Sequence, residues 1–141
     1  MDDDPFNLAR FVEAQDPVMA RVWGELRAGR KDSHWMWFVF PQIAGLGASE
    51  MSRRYAVRGL DEARAYLAHP VLGERLRDCT QILLDGTESD IGYVFGSPDD
   101  MKFHASMTLF ARAAGGASPF RAALARFFDG EEDAATVARV G

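Results

Sequence analysis

The sequence predicts a single all-α domain of roughly six to eight helices. Three observations predict it. Apolar residues recur at helical spacing along most of the chain. Asp4-Pro5, Asp16-Pro17, Ser97-Pro98 and Ser118-Pro119 each put a capping side chain directly before a proline. Proline suits the first helical position because its missing N–H would have no partner there. No segment shows long period-2 alternation between hairpin turns. Outside the aromatic motif described below, only Tyr55-Ala56-Val57 and Tyr93-Val94-Phe95 read as strand fragments, so one or two very short strands are all the β structure expected. The 141 residues show no linker, repeat or low-complexity tract, and residues 1–141 read as one domain.

The elements follow in order. Leu8, Phe11, Val12, Met19, Val22, Trp23 and Leu26 hold helical spacing, with a break at Pro17 and an end at Gly29. Residues 61–68 predict a short helix capped by Asp61. After His69-Pro70, a second helix puts Leu72, Leu76, Cys79 and Leu83 on one face and ends at Gly86. Ser97 is the strongest start signal, because Asp99 and Asp100 then fall in the first turn, where the helix dipole favours negative charge. The helix over 98–114 buries Phe103, Met107, Phe110 and Ala114. Residues 119–128 bury Phe120 and Leu124 and end near Gly130. A last helix covers 132–139.

The densest stretch is Lys31-Asp32-Ser33-His34-Trp35-Met36-Trp37-Phe38-Val39-Phe40-Pro41-Gln42. Each large aromatic there can bury about 150–250 Å². The run is therefore core or the wall of an apolar pocket. It reads as a short buried helix capped by Asp32 or Ser33 and stopped near Phe40, which precedes a proline.

Composition narrows the function classes. Hydrophobic residues make up 48% and charged residues 26%, with a net charge of −5, as in an ordinary globular protein. The negative balance argues against broad binding to nucleic acid or anionic membranes. No apolar run approaches the ~20 residues of a membrane span. The acidic start, Met1 to Pro5, lacks the basic and apolar parts of a signal peptide, so a cytoplasmic location is expected. One cysteine, Cys79, excludes an internal disulfide and a cysteine-cluster metal site. No metal and no cofactor is expected.

Familiar catalytic motifs are missing: no phosphate-binding Walker loop, no HExxH, no GxSxG. Gly45-Leu46-Gly47 lacks the strand context of a dinucleotide fingerprint and reads as a turn before a helix capped by Ser49. Ser33-His34 beside two tryptophans offers an acid–base group or a stacking partner, against the plainer reading of a satisfied core histidine. Asp99, Lys102 and Ser106 lie on one polar line of their helix; an Asp99–Lys102 ion pair explains it simply, and a pocket facing the aromatic motif explains it functionally. Cys79 reads as an inert buried thiol.

These residues together resemble the DUF1810 family of bacterial proteins, sometimes labelled calpastatin. The likeness runs nearly end to end: Arg10-Phe11 with Ala14-Gln15, Ser33 through Gln42, Gly45-Leu46-Gly47 with Ser49, Glu62-Ala63 with Tyr66-Leu67, His69 through Gly73 with Arg75-Leu76, Phe95-Gly96, Asp99 with Lys102, and Ser106 through Phe110. Ala105 departs from it, standing where a second serine is expected. The resemblance implies a small, mostly helical cytoplasmic protein without an assigned activity. A weaker likeness, carried by Leu72-Gly73 and Met101-Lys102-Phe103, is to the NADAR superfamily, which implies N-glycosidic chemistry on ADP-ribose-type metabolites.

Two function classes follow. In the first the protein is an enzyme acting on a nucleotide-like metabolite. Trp35 and Trp37 would wall its pocket, Lys31, Arg75 and Lys102 would meet phosphate, Ser33 and Ser106 would bind ligand, and His34, Asp99 and Gln42 would position or activate water. In the second it is a noncatalytic binding or interaction module whose tryptophans are core. A DNA-binding helix-turn-helix is disfavoured, because Arg30-Lys31 and Arg53-Arg54 are the only basic doublets.

Overall fold

The computed structural model describes residues 3–140. They form ten helices and no sheet. In chain order these are α1 Ala9–Gln15, α2 Met19–Ala28, α3 Met36–Val39, α4 Glu50–Arg54, α5 Leu60–Ala68, α6 Leu72–Asp85, α7 Ile91–Phe95, α8 Asp99–Ala114, α9 Pro119–Phe128 and α10 Ala134–Val140. The all-α expectation holds. The count exceeds six to eight because α3, α4 and α7 are single turns, too short to show a periodicity.

The centre of the fold is α8, which packs on α5, α7, α9 and α10. From Ala105 to Ala111 it is buried on every side, as a helix must be when neighbours surround it. Around it run two aromatic chains. Phe40 meets Phe103 edge-on at 5.1 Å and Phe95 at 5.8 Å. Phe11, Tyr66 and Phe110 follow one another at 5.1 and 5.2 Å. Tilted and edge-on contacts of this kind suit the ring quadrupoles.

Several start signals behave as predicted. Ser118 accepts from the Arg121 N–H with Pro119 behind it. Ser49 accepts from the Ser52 N–H. Gly29 closes α2 at φ 74°, a left-handed conformation that glycine adopts without strain. Others are corrected. Ser97 does not cap α8: its side chain makes no cap bond, and Pro98 holds the cap position. Asp61 lies inside α5, which starts at Leu60 behind Gly59. Asp32 and Ser33 do not cap α3; Trp35 precedes it without a side-chain cap, because the Ser33 hydroxyl is committed to Glu25. Tyr93-Val94-Phe95 is helix, started by Asp90 through the N–H groups of Gly92 and Tyr93. Val57 alone pairs as a strand would, in an isolated parallel bridge with Ile43.

Two polar devices hold the frame. The Arg10 guanidinium donates to the carbonyls of Phe6, Asn7, Arg54 and Ala56 and to the buried Glu62 carboxylate at 2.9 Å. A planar fork with five donors suits such a junction. Gln15 donates to the Phe38 carbonyl and the Tyr66 hydroxyl, tying α1 to the aromatic motif. His69 does more than turn the chain. Its Nδ1 accepts from the N–H groups of Val71 and Leu72 and so starts α6. Cys79 is fully buried, and burial pushes its thiol well above the usual range, in keeping with an inert side chain.

Candidate functional site

The site begins at the end of α2. Gly29 turns the chain, and the Lys31 N–H donates to the Val94 carbonyl. Glu25 then organises the loop that follows. Its carboxylate accepts from the N–H groups of Asp32 and Ser33, from the Ser33 hydroxyl at 2.5 Å and from the Trp35 indole N–H at 2.9 Å. Burial raises this carboxyl's pKa, but the four hydrogen bonds outweigh it and bring it down to about 2.

The loop so fixed aims Lys31 at the first turn of α8. Lys31 Nζ lies 2.9 Å from one Asp99 oxygen, and its side chain is only 7% exposed. It also sits 5.2 Å from the Trp35 ring centre. The other Asp99 oxygen is 3.5 Å from Lys102 Nζ, one turn further along α8. Lys102 in turn lies 5.1 Å from the centre of the Trp37 ring. One carboxylate thus holds two ammonium groups, each against the face of a tryptophan. The cation–π contacts are worth about 0.5–1 kcal/mol where exposed and more where dry.

Lys102 also lines a cleft of about 240 Å³. Its floor and sides include Leu46, Pro98, Met101 and Ala105, and its polar groups are Gln42, Ser52, Lys102 and Asp133. Asp133 binds the Thr136 N–H and hydroxyl through one oxygen, starting α10, and leaves the other oxygen without a hydrogen bond among the described residues. The Gln42 side-chain amide is likewise without one. An apolar floor with a few polar groups is the usual composition of a small-molecule site.

Of the predicted residues, the structure brings Lys31, Trp35, Trp37, Asp99 and Lys102 into one contiguous set. Gln42 joins it through the cleft it shares with Lys102. Ser33 stands beside the set, bound to Glu25. Ser106 follows Lys102 by one turn of α8 and is fully buried, its hydroxyl without a partner among the described residues. His34 is exposed and makes no hydrogen bond or ion pair among the described residues. Arg75 is engaged elsewhere, with Asp16 at 2.8 Å and Gln15 at 3.3 Å. Sequence reasoning missed Glu25 and Asp133. Glu25 organises a loop seven to ten residues further on, which no spacing announces; Asp133 acts locally on Thr136, and only the capping chemistry of a carboxylate hints at it.

A larger open groove, about 690 Å³, runs between the N-terminal segment and α5. It carries none of the predicted residues. Its Asp4 carboxylate is taken by the N–H groups of Leu8 and Ala9, and its His69 starts α6. The uncommitted Gln42 amide and Lys102 line the smaller cleft, and Lys102 links it to Asp99, Lys31 and the Trp37 ring, so it is the better candidate.

Fold and site define an all-helical single-domain protein with a small cleft beside a lysine–aspartate–lysine cluster. Residues 5–140 match the model of the DUF1810 family, described as a protein of unknown function, and the chain belongs to that family. Among solved structures it is similar to the conserved hypothetical protein Rv1873 from Mycobacterium tuberculosis, at 52% identity over 97% of this chain and 98% of that one, with a TM-score of 0.95. No curated protein matches it. None of these findings carries the likeness to the NADAR superfamily. No described helix is long and apolar enough to cross a membrane, and the described residues hold no cluster of potential metal ligands.

Proposed function

We propose that the protein is an enzyme of small-molecule metabolism that takes a nucleotide- or ADP-ribose-like ligand at the Gln42–Lys102 cleft and acts on it by hydrolytic or N-glycosidic chemistry. The observation that carries this reading is the Asp99 carboxylate shared between Lys31 and Lys102, with Lys102 reaching the cleft and the Trp37 face together. Lys102, the one cation among the described residues of the cleft lining, shares Asp99 with the nearly buried Lys31 and is the group that can turn to a phosphate. A tryptophan face suits a planar ring. The uncommitted Gln42 amide and the free oxygen of Asp133 are the groups placed to orient a water molecule. Asp99 serves this reading as an electrostatic anchor, because both its oxygens face lysines.

The competing reading is a noncatalytic binding module. It draws on His34, which is exposed, and on Trp35, which is core and hydrogen-bonded to Glu25. One experiment separates the two. Purified protein is incubated with NAD, ADP-ribose and adenine nucleotides, with thermal shift and product analysis, beside His34→Ala, Asp133→Asn and Lys102→Ala. Ligand stabilisation with product, lost in Asp133→Asn, supports the enzyme. Stabilisation without product supports the module. Neither stabilisation nor product removes the nucleotide reading.

A further inference from the structure

Among the described residues the cleft has no aromatic side chain in its lining; the Trp37 ring stands behind one of its walls, Lys102. Its ammonium is 5.1 Å from the Trp37 ring centre, while its side chain lines the cleft and is 22% exposed. We propose that Lys102 is a latch that makes the site selective for rings bearing an anionic group, nucleoside monophosphates above nucleosides. This deepens the nucleotide reading given above and rests on it.

The argument is one of displacement. A planar ring reaches the Trp37 face only when the ammonium leaves it. Leaving breaks two weak contacts, the cation–π contact and the 3.5 Å pair with Asp99, whose side chain is 19% exposed. Asp99 is not stranded by the change, because Lys31 stays on its other oxygen at 2.9 Å, nearly buried. The ammonium is left needing an anion. A ligand whose ring carries a phosphate supplies one; a neutral nucleoside does not. Selectivity therefore comes from what the empty site already satisfies as much as from what the ligand adds.

The test compares AMP with adenosine, by calorimetry and by tryptophan fluorescence, on the wild type, Lys102→Met and Lys102→Arg. Methionine keeps the stem and removes the charge; arginine keeps the charge. Inorganic phosphate alone serves as the control for simple anion binding. The expected result is a preference for AMP of about tenfold or more in the wild type, kept by Lys102→Arg. In Lys102→Met the preference shrinks below about threefold, with adenosine binding as well as before or better, because the ring face is uncovered. A Lys102→Met protein that keeps the AMP preference, or loses adenosine along with AMP, overturns the latch while leaving nucleotide binding intact. Phosphate binding as tightly as AMP also overturns it. A wild type that binds none of the probes overturns the nucleotide reading itself, and the latch with it.

Discussion

Glu25 accepts the indole N–H of Trp35 at 2.9 Å across ten residues of chain. The same carboxylate takes two backbone N–H groups and the Ser33 hydroxyl, so one side chain holds the loop that delivers Lys31 to Asp99. Glu25→Ala should cost about 2 kcal/mol, the scale for removing hydrogen bonds to a charged acceptor. Chemical denaturation measures it.

The same group predicts an acid limb. Its folded pKa is about 2, against an ordinary 4.5. A depressed carboxyl contributes stability that is complete above its unfolded value and falls away as pH drops from there towards the folded one. Stability measured between pH 5 and pH 2 should therefore fall less steeply in Glu25→Gln than in the wild type. Equal slopes would show that the carboxylate contributes no such term.

Gly73 lies against the Leu67 carbonyl so closely that an added Cβ would clash with its oxygen. That contact sets how near α6 approaches α5. Gly73→Ala must push two helix backbones apart and should cost about 3 kcal/mol or leave the protein unfolded. Gly24, inside α2 with nothing within 4 Å of a Cβ, is the control. Gly24→Ala should gain about 0.5–1 kcal/mol through helix propensity. Thermal unfolding of the pair reads both signs at once.

The Ser106 hydroxyl is buried and has no partner among the described residues. Such a group has lost its water and gained nothing in exchange. Ser106→Ala should raise stability by about 1 kcal/mol. Unchanged or lowered stability would mean that the hydroxyl is satisfied in solution.

Trp35 and Trp37 differ although they are two residues apart. Trp35 is 1% exposed and packs on Phe40 and Phe95; Trp37 is half-buried beneath Lys102. Trp35→Ala should cost about 3–5 kcal/mol, as for any large core aromatic. Trp37→Leu should cost under about 1.5 kcal/mol while weakening AMP binding. Denaturation and calorimetry on both variants separate core from wall.

The long helices were legible because periodicity survives over several turns: α8 and α9 fall within a residue of the ranges predicted from Phe103, Met107, Phe110, Phe120 and Leu124. The one-turn helices were not. Tyr93-Val94-Phe95 has the composition of a strand, and the Asp90 cap that makes it a helix is a single residue without a pattern behind it. The cluster was half legible. Asp99 and Lys102 share a helix, so spacing alone pairs them. Lys31 joins through the turn at Gly29 and the Glu25 bonds, which no spacing encodes. Arg75 misled because a cation near the start of a helix looks alike whether it faces a ligand or, as here, Asp16.

The lone pairing of Ile43 with Val57 divides the walls of the cleft into fixed and adjustable parts. Its flanking bonds, Ala44 N–H to the Val57 carbonyl at 2.7 Å and Val57 N–H to the Gln42 carbonyl at 2.8 Å, clamp the root of the excursion between them. Arg10 grips the far stem at Arg54 and Ala56. Gln42 is on the clamped side; Leu46, Gly47 and Ser52 lie beyond it. Widening this cleft for a bulkier guest falls to residues 45–53, and the amide that would read the guest keeps its backbone anchored throughout.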